Sequence, residues 1–446
     1  MGALGVGQLR RMIQHRAFIA LMDQGAVSGA NFATGILLSR AFVGPRREQL
    51  GLYYLAFTIA ILITELQNAL VSTPHMVAAP KLRSQRLQRF NGSALIHHFV
   101  LSGLITIALF GIALAAPVAG LGSHQPMLLA CAITAGAVGL RNFFRLLNFA
   151  LHRPLISCLA DWLVAAVQIP GIIWLAKTQH LSAGSAVGVV GIASLAGGLF
   201  AMVLSLKDLR PNLTVAWQDF RDNWRLSRWV CASGIVWNLG TSLYPWIIDT
   251  FSGTLQAAVW GNCNTVSSLG NPLLMGLQNW SAPAIAHAHA DRTNAKFRHY
   301  VLRMVAVFLM ILPPMLLVLG FVSNPLLHRV YKDLTAGTLP VVLILAAAWV
   351  VQSMSFAISR GLFSLGRGDL DLWANIVPVL VLLAGGYFLI HRYGAAGGAV
   401  CLLVAQVLAL IARAAMFWFA TATRATAAPV AANDEAMEGI VSVEAM

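Results

Sequence analysis

The residues with chemistry to offer lie in stretches where lipid is expected. Between Phe18 and Val43 an otherwise apolar run carries Asp23, Gln24, Ser28, Asn31 and Thr34. Coiled as a helix, Gln24, Ser28, Asn31 and Gly35 fall on one face, with Asp23 at its edge. A second run sets Arg141, Arg145, Asn148 and His152 on one helical face, reaching from mid-membrane to the boundary. An ionised side chain at that depth costs about 2.5–3.5 kcal/mol on insertion scales, so both faces must look into a bundle or a wet cavity. Two guanidiniums on one face call for an anion or for carboxylate partners. The partners on offer are Asp23, Glu65 and Asp161. Two readings follow: an ion-pair network that holds helices together, or a cavity that contacts an anionic group or couples to a cation.

Weaker polar stripes repeat the theme. Thr58, Glu65, Asn68, Ser72 and His75 share a face, followed by Pro80; Ser233, Trp237, Thr241 and Tyr244 share another, ahead of Pro245; Asn264, Ser268, Asn271 and Gln278 form a further polar series. Stripes at corresponding places in both parts of the chain suggest a central cleft. Packing between helices is the alternative for each neutral residue. His287 and His289 are two residues apart and do not share a helical face, which does not suit zinc, and no metal is expected.

The elements that position these residues are membrane helices. Of 446 residues, 58% are hydrophobic and only 10% charged, far from the roughly 25% charged of soluble domains. The formal net charge of +14 sits in short loops between apolar runs, which fits orientation by the positive-inside rule and excludes a nucleic-acid surface. Cys131, Cys158, Cys231, Cys263 and Cys401 are scattered with no CxxC pair, so neither a disulfide framework nor a metal site is expected. The basic stretch Gly2 to Arg16 runs into a full-length span, and that span is the expected insertion signal.

Apolar runs against basic breaks predict an all-α integral membrane protein of about twelve spans. Loops on the N-terminal side hold 21 Lys and Arg against 7 on the other, which predicts both termini in the cytoplasm. The connection 207–228 divides the chain into six spans in 1–206 and six in 229–420, and 421–446 reads as a disordered cytoplasmic tail. The two parts look duplicated. Leu66-Gln67-Asn68, followed by Pro74, recurs as Leu277-Gln278-Asn279, followed by Pro283; Gly51 answers to Gly261 and Asn31 to Asn238, at offsets of 211, 210 and 207. Gly25-xxx-Gly29 and Gly184-xxx-Gly188 predict close helix packing. A Walker A motif, a Gly-x-Ser-x-Gly elbow and an HExxH are all missing from the sequence, and no large outer loop is available for catalysis, so neither a cofactor nor an enzymatic role is expected.

Asp23-Gln24, Asn31-Phe32, Ser39-Arg40-Ala41, Gly51-Leu52-Tyr53 and Leu66-Gln67-Asn68-Ala69-Leu70 together resemble the polysaccharide flippases of the multidrug/oligosaccharidyl-lipid/polysaccharide (MOP) exporter superfamily. The run from Asp249 to Gly261, with Gly270-Asn271-Pro272 and Gly276-Leu277-Gln278-Asn279, resembles the matching second-half segment. The resemblance covers the whole layout. It implies two six-helix lobes around a cavity that opens alternately to each side, in a bacterial cytoplasmic membrane. The implied substrate is a polyprenyl-pyrophosphate-linked oligosaccharide bound for cell-surface polysaccharide such as the O-antigen of lipopolysaccharide. Membrane lipid and polysaccharide polymerase and ligase proteins are the implied partners. On this expectation Arg141 and Arg145 attract the pyrophosphate. Asn31, Asn68, Trp237, Tyr244 and Asn271 line the sugar cavity, and Asp23, Glu65 or Asp161 balances charge or carries a coupling cation. A cation-coupled multidrug exporter of the same superfamily is the alternative, and a membrane polymerase or ligase a more distant one.

Overall fold

The computed structural model describes residues 6–423 except 80–81, 83, 272, 276, 279–280, 282–284, 286–287, 289–293 and 327–337, with most side chains described from Phe18 onward. His287, His289, Asn279, Pro283, Pro272 and the tail from 424 lie outside the described residues. Every described element is helical. In the first half α1 (Val6–Ala41), α2 (Arg47–Gln67), the short α3 (Thr73–Ala78), α4 (Ser84–Ala115), α5 (Gln125–Ala150), α6 (Pro154–Lys177) and α7 (Ala183–Ser205) follow in order. The second half holds α8 (Leu213–Ser242), α9 (Tyr244–Ser252), α10 (Thr254–Ser267), α11 (Asn294–Leu326), α12 (Leu339–Ser364) and α13 (Gly368–Thr423).

Among the described residues, eight helical stretches are long and apolar enough to cross a membrane. Seven have single-crossing length, whereas Gly368–Ala422 is 55 residues long and has room for two. Its two rods meet at Gly394, whose φ of 54° is closed to most side chains. A Cβ there would also stand 2.6 Å from Gln256 Oε1, the atom that accepts the Ala395 N–H at the start of the second rod. The eight stretches do not include α1, α8 or α10. α1 and α8 carry polar stripes that lower their apolarity, and α10, also striped, is only 14 residues long, whereas the stripes of α2 and α5 lie within the eight.

Four hydrophobic cores segregate almost completely by half. Leu38, Tyr53, Leu55, Met127, Ile172 and Ala186 belong to one first-half core, and Phe143, Phe144, Leu147 and Ala201 to the other. Tyr244, Ile248, Trp260 and Val342 anchor one second-half core, and Phe297, Phe308, Ile358 and Phe417 the other. Outward faces of α4 and α11 expose Leu104, Ile107, Leu114, Met310, Leu317 and Phe321, as a lipid-facing surface would.

Three local features depart from the sequence expectation. The connection 207–228 is largely helix: α8 begins at Leu213, capped by the Asn212 side chain accepting from Val215 N at 3.1 Å. Ala216 and Asp219 of this segment pack inward, where Asp219 takes Arg86 at 2.6 Å, and Trp217, Phe220 and Trp224 form an exposed stacked row. The close-packing glycines are mostly different ones: of the four expected, Gly184 alone has a near neighbour, with Pro126 O 3.3 Å from where its Cβ would stand. Gly25, Gly29 and Gly188 face open space, whereas a Cβ on Gly191 would stand 2.1 Å from Thr134 Cγ2 and one on Gly198 would stand 3.0 Å from Arg141 N. The glycine face of α7 thus lets α5 come in close and fixes the height of Arg141. Finally, α2 widens into a π turn over Asn68–Ser72, just before Pro74, whose ring cannot share the preceding turn's regular bonding.

Candidate functional site: a cavity between the halves and two buried charge networks

Between the halves lies a cavity of about 160 Å³. Its walls are Tyr54, Thr58 and Glu65 of α2, Trp237, Asn238 and Thr241 of α8, Trp260, Gly261 and Asn264 of α10, and Trp349 and Gln352 of α12. Along α2 it extends from Tyr54 to Glu65, roughly 16 Å at 1.5 Å per residue. Among the described lining residues Glu65 is the one carboxylate, and none is Lys, Arg or His.

One end of the cavity is sealed by direct contact between halves. Tyr54 Oη donates to Asn262 Oδ1 at 2.9 Å, and Trp246 Nε1 donates to Thr58 Oγ1 at 2.9 Å. His124 Nε2 meets Asp249 Oδ2 at 2.8 Å. Two glycines make the approach possible. A Cβ on Gly51 would stand 2.1 Å from Thr254 O, and one on Gly261 would stand 2.0 Å from the Tyr54 ring. These are the two glycines that the repeat pairs, and both lie at the seam.

The stripe on α1 faces the same cleft. A Cβ on Gly35 would meet Tyr54 Oη at 3.2 Å and Thr265 Cγ2 at 3.4 Å, which places this face against the second half. Asn31 lies one turn away on that face and is exposed. The opposite face of α1, with Asp23, Ala26, Ala30, Thr34 and Leu38, is buried in the first half.

Asp23 there enters a charge network among α1, α5 and α6. Arg145 Nη2 lies 2.5 Å from Asp23 Oδ2, and its Nε lies 2.9 Å from Asp161 Oδ2; Arg141 Nη2 lies 2.6 Å from Asp161 Oδ1. The two aspartates are buried, while the arginine side chains keep 21% and 23% of their exposure. Two cations and two anions sum to zero. The arginines are therefore matched by carboxylates and are absent from the described cavity wall. Asn148, on the same stripe, hydrogen-bonds Ser205 Oγ at 3.1 Å rather than a ligand. His152 leaves the helix at a positive φ of 59°.

The second half contains a network that the stripes did not suggest. Arg413, on the second rod of α13, donates from Nε to Asp371 Oδ1 at 2.9 Å and reaches Ser355 and Asn375 with its other nitrogens. Asp371 Oδ2 accepts from Ser233 Oγ at 2.9 Å and from Asn375 Nδ2 at 3.2 Å. All five residues are buried. Their numbers carry the signal: Asp23, Arg145 and Asp161 shifted by 210 are Ser233, Ser355 and Asp371. The same holds one residue off for a pair beside the cavity, where Asn142 donates to Gln67 Oε1 at 3.3 Å and Gln278 donates to Ser353 Oγ at 3.5 Å.

The remaining sequence-predicted residues divide. Trp237 and Glu65 line the cavity. Asn68, in the π turn, leans on Glu65 and accepts from Asn142 Nδ2 at 2.8 Å, so it supports the wall. Tyr244 does not line the cavity: it is fully buried in a second-half core, stacked on Trp260 at 5.5 Å, because α9 breaks from α8 just before it and rotates its ring inward. Asn271 is half-buried and lies outside the described lining. Asn238, Asn264, Trp349 and Gln352 complete the wall, and of these Asn264 alone belonged to a polar series in the sequence reading. Trp349 and Gln352 sit on α12, a helix too apolar overall to draw notice.

Comparison with known proteins gives a matching picture. Residues 181–334 match the family described as polysaccharide biosynthesis protein. No curated protein matches by sequence. Among solved structures, the chain superposes on the inward-facing conformation of a multidrug resistance MATE family transporter of the MOP superfamily with a TM-score of 0.74, at 15% identity, covering 90% of this chain and 96% of that one. Against an outward-facing conformation of such a transporter the TM-score is 0.66, at 15% identity, covering 94% and 97%. A MOP superfamily transporter from Pyrococcus furiosus, described by a reversed polarity of its binding pocket, gives 0.68 at 15% identity, covering 92% and 95%. Residues 181–334 are thus similar to the polysaccharide biosynthesis protein family, and over nearly its whole length the chain shares the fold of solved MOP-superfamily transporters.

Proposed function

We propose that the protein moves a polyprenyl-pyrophosphate-linked oligosaccharide across a bacterial cytoplasmic membrane by alternating access. The observation that carries this reading is the central cavity, sealed at one end and walled by three tryptophans, three amides and one acid. Flat aromatic faces and amides suit sugar rings and hydroxyls, and a saccharide cannot cross hydrocarbon unaided. Its polyprenyl tail never needs to leave the lipid. On this reading 1–206 and 229–420 are two six-span lobes that rock about the cavity, 207–228 joins them, and both termini are cytoplasmic. The sealed seam is then the outer gate, and the cavity opens inward.

Arg141 and Arg145 take a revised role in this account. Paired with Asp161 and Asp23, they hold α1, α5 and α6 together and balance charge, and they offer the pyrophosphate no net positive field in this conformation. Trp237 faces the sugar directly, Asn31 from across the cleft, and Asn68 indirectly through Glu65.

A second reading is favoured by one observation: a single acid among aromatic walls also suits an amphiphilic cation, as in a cation-coupled multidrug exporter. The deciding experiment extracts polyprenyl-linked sugars from cells with and without the protein and assigns their leaflet by access to an external glycosidase. Units trapped on the cytoplasmic side support the flippase. An unchanged pool, with altered dye efflux, supports the drug exporter.

A further inference from the structure

We infer that the central cavity selects for saccharides without acidic sugars, with Glu65 as the residue that sets the exclusion. This rests on the cavity being the saccharide site. Glu65 stands in the wall with the Asn68 amide beside it, and none of the described lining residues is basic. The nearby guanidiniums of Arg141 and Arg145 are already held by Asp161 and Asp23. A uronate entering this space would meet a carboxylate across a low-dielectric gap with nothing to neutralise either charge.

Neutral hydroxyls, by contrast, find open partners. Thr58 Oγ1 is already engaged by Leu55 O and Trp246, and Thr241 Oγ1 by the backbone of its own helix. Trp349 Nε1 is buried, has no hydrogen-bond partner among the described residues and can only donate. With the amides of Asn264 and Gln352 it offers donors that a sugar hydroxyl satisfies. Glu65 is an acceptor for a diol or for a protonated amino sugar. The cavity thus attracts through donors and aromatic faces, and it rejects a second acid through its one carboxylate.

The test uses the purified full-length protein in proteoliposomes with two synthetic polyprenyl-pyrophosphate trisaccharides of equal size, one neutral and one containing a uronic acid. Wild type is expected to move the neutral compound at least about tenfold faster, the effect of a like charge in a poorly screened site. In Glu65→Gln the ratio is expected to fall to within about threefold, whatever happens to the absolute rates. Gln352→Glu, which adds a second carboxylate, is expected to widen it. Equal rates in wild type, or a ratio that neither substitution moves, overturns the inference while leaving the flippase reading intact. Movement of neither compound, with both variants folded, overturns the flippase reading and this inference with it.

Discussion

Asp161 and Asp371 lie 210 residues apart, and each is the carboxylate at the centre of the charge network in its half. The cation arrives differently. In the first half it comes from Arg141 and Arg145 on α5, and in the second from Arg413 on the far rod of α13. The first network is partly exposed, and Asp23 Oδ1 has no hydrogen-bond partner among the described residues. In the second, both Asp371 oxygens are satisfied and all five residues are buried. The acid stands at matching positions in the two halves while its partners differ, one network sealed and the other partly exposed.

Arg413→Ala should therefore be among the more damaging single changes, since it strands Asp371 away from water at a cost of about 3–5 kcal/mol. Arg141→Ala should cost about 1 kcal/mol, because Arg145 continues to bridge Asp161. Thermal unfolding in detergent ranks the two. A larger loss for Arg141→Ala would show that the second network is not the structural hub.

Arg145 touches both acids, and so its removal should leave Asp23 buried and uncompensated. A double-mutant cycle with Asp23→Ala should return a coupling of about 1–3 kcal/mol, with the double variant more stable than Arg145→Ala alone. Additive losses would mean that the short contact contributes nothing.

At the seam, Gly51→Val should disfavour the sealed state, because the atom its Cβ meets is Thr254 backbone oxygen and no rotamer relieves a backbone contact. Spin labels at the exposed positions Glu48 and Leu255 report the gap, and the five native cysteines are buried and should label poorly. A longer mean distance in the variant, with helicity retained, is expected. An unchanged distance distribution would show that this seam does not gate the cavity.

Trp349→Phe separates stability from transport. Removing the unpartnered buried indole N–H should leave stability unchanged or raise it by about 1 kcal/mol, while transport falls because the sugar loses a donor. A variant less stable yet fully active would place Trp349 in packing instead.

Much of this arrangement was legible from periodicity. Apolar runs at 126–150, 155–176 and 183–206 mark α5, α6 and α7 to within a residue, and the stripe rule puts Arg141 and Arg145 on one face with Asp23, Glu65 and Asp161 as the acids on offer, of which Asp23 and Asp161 pair with them. Periodicity could not say whether the arginines would find carboxylates or a ligand, because that depends on how far α1 and α6 stand from α5. Tyr244 was misplaced for a related reason: the stripe assumed a continuous helix, and the break before Pro245 rotated the ring into a core. Arg413 and Asp371 went unseen because Arg413 stands alone on its apolar rod, 42 residues from Asp371, and meets it only through the turn at Gly394. The offset held the missing clue, since the shift of 210 that pairs Gly51 with Gly261 also takes Asp161 to Asp371.

The most direct test of the central claim is transbilayer movement in proteoliposomes of a neutral polyprenyl-pyrophosphate oligosaccharide, followed by its exposure to an added glycosidase. The account expects protein-dependent exposure that Trp349→Phe slows. Vesicles that protect the oligosaccharide equally with and without the protein, while a fluorescent lipophilic cation is moved, would contradict it and assign the cavity to drug export.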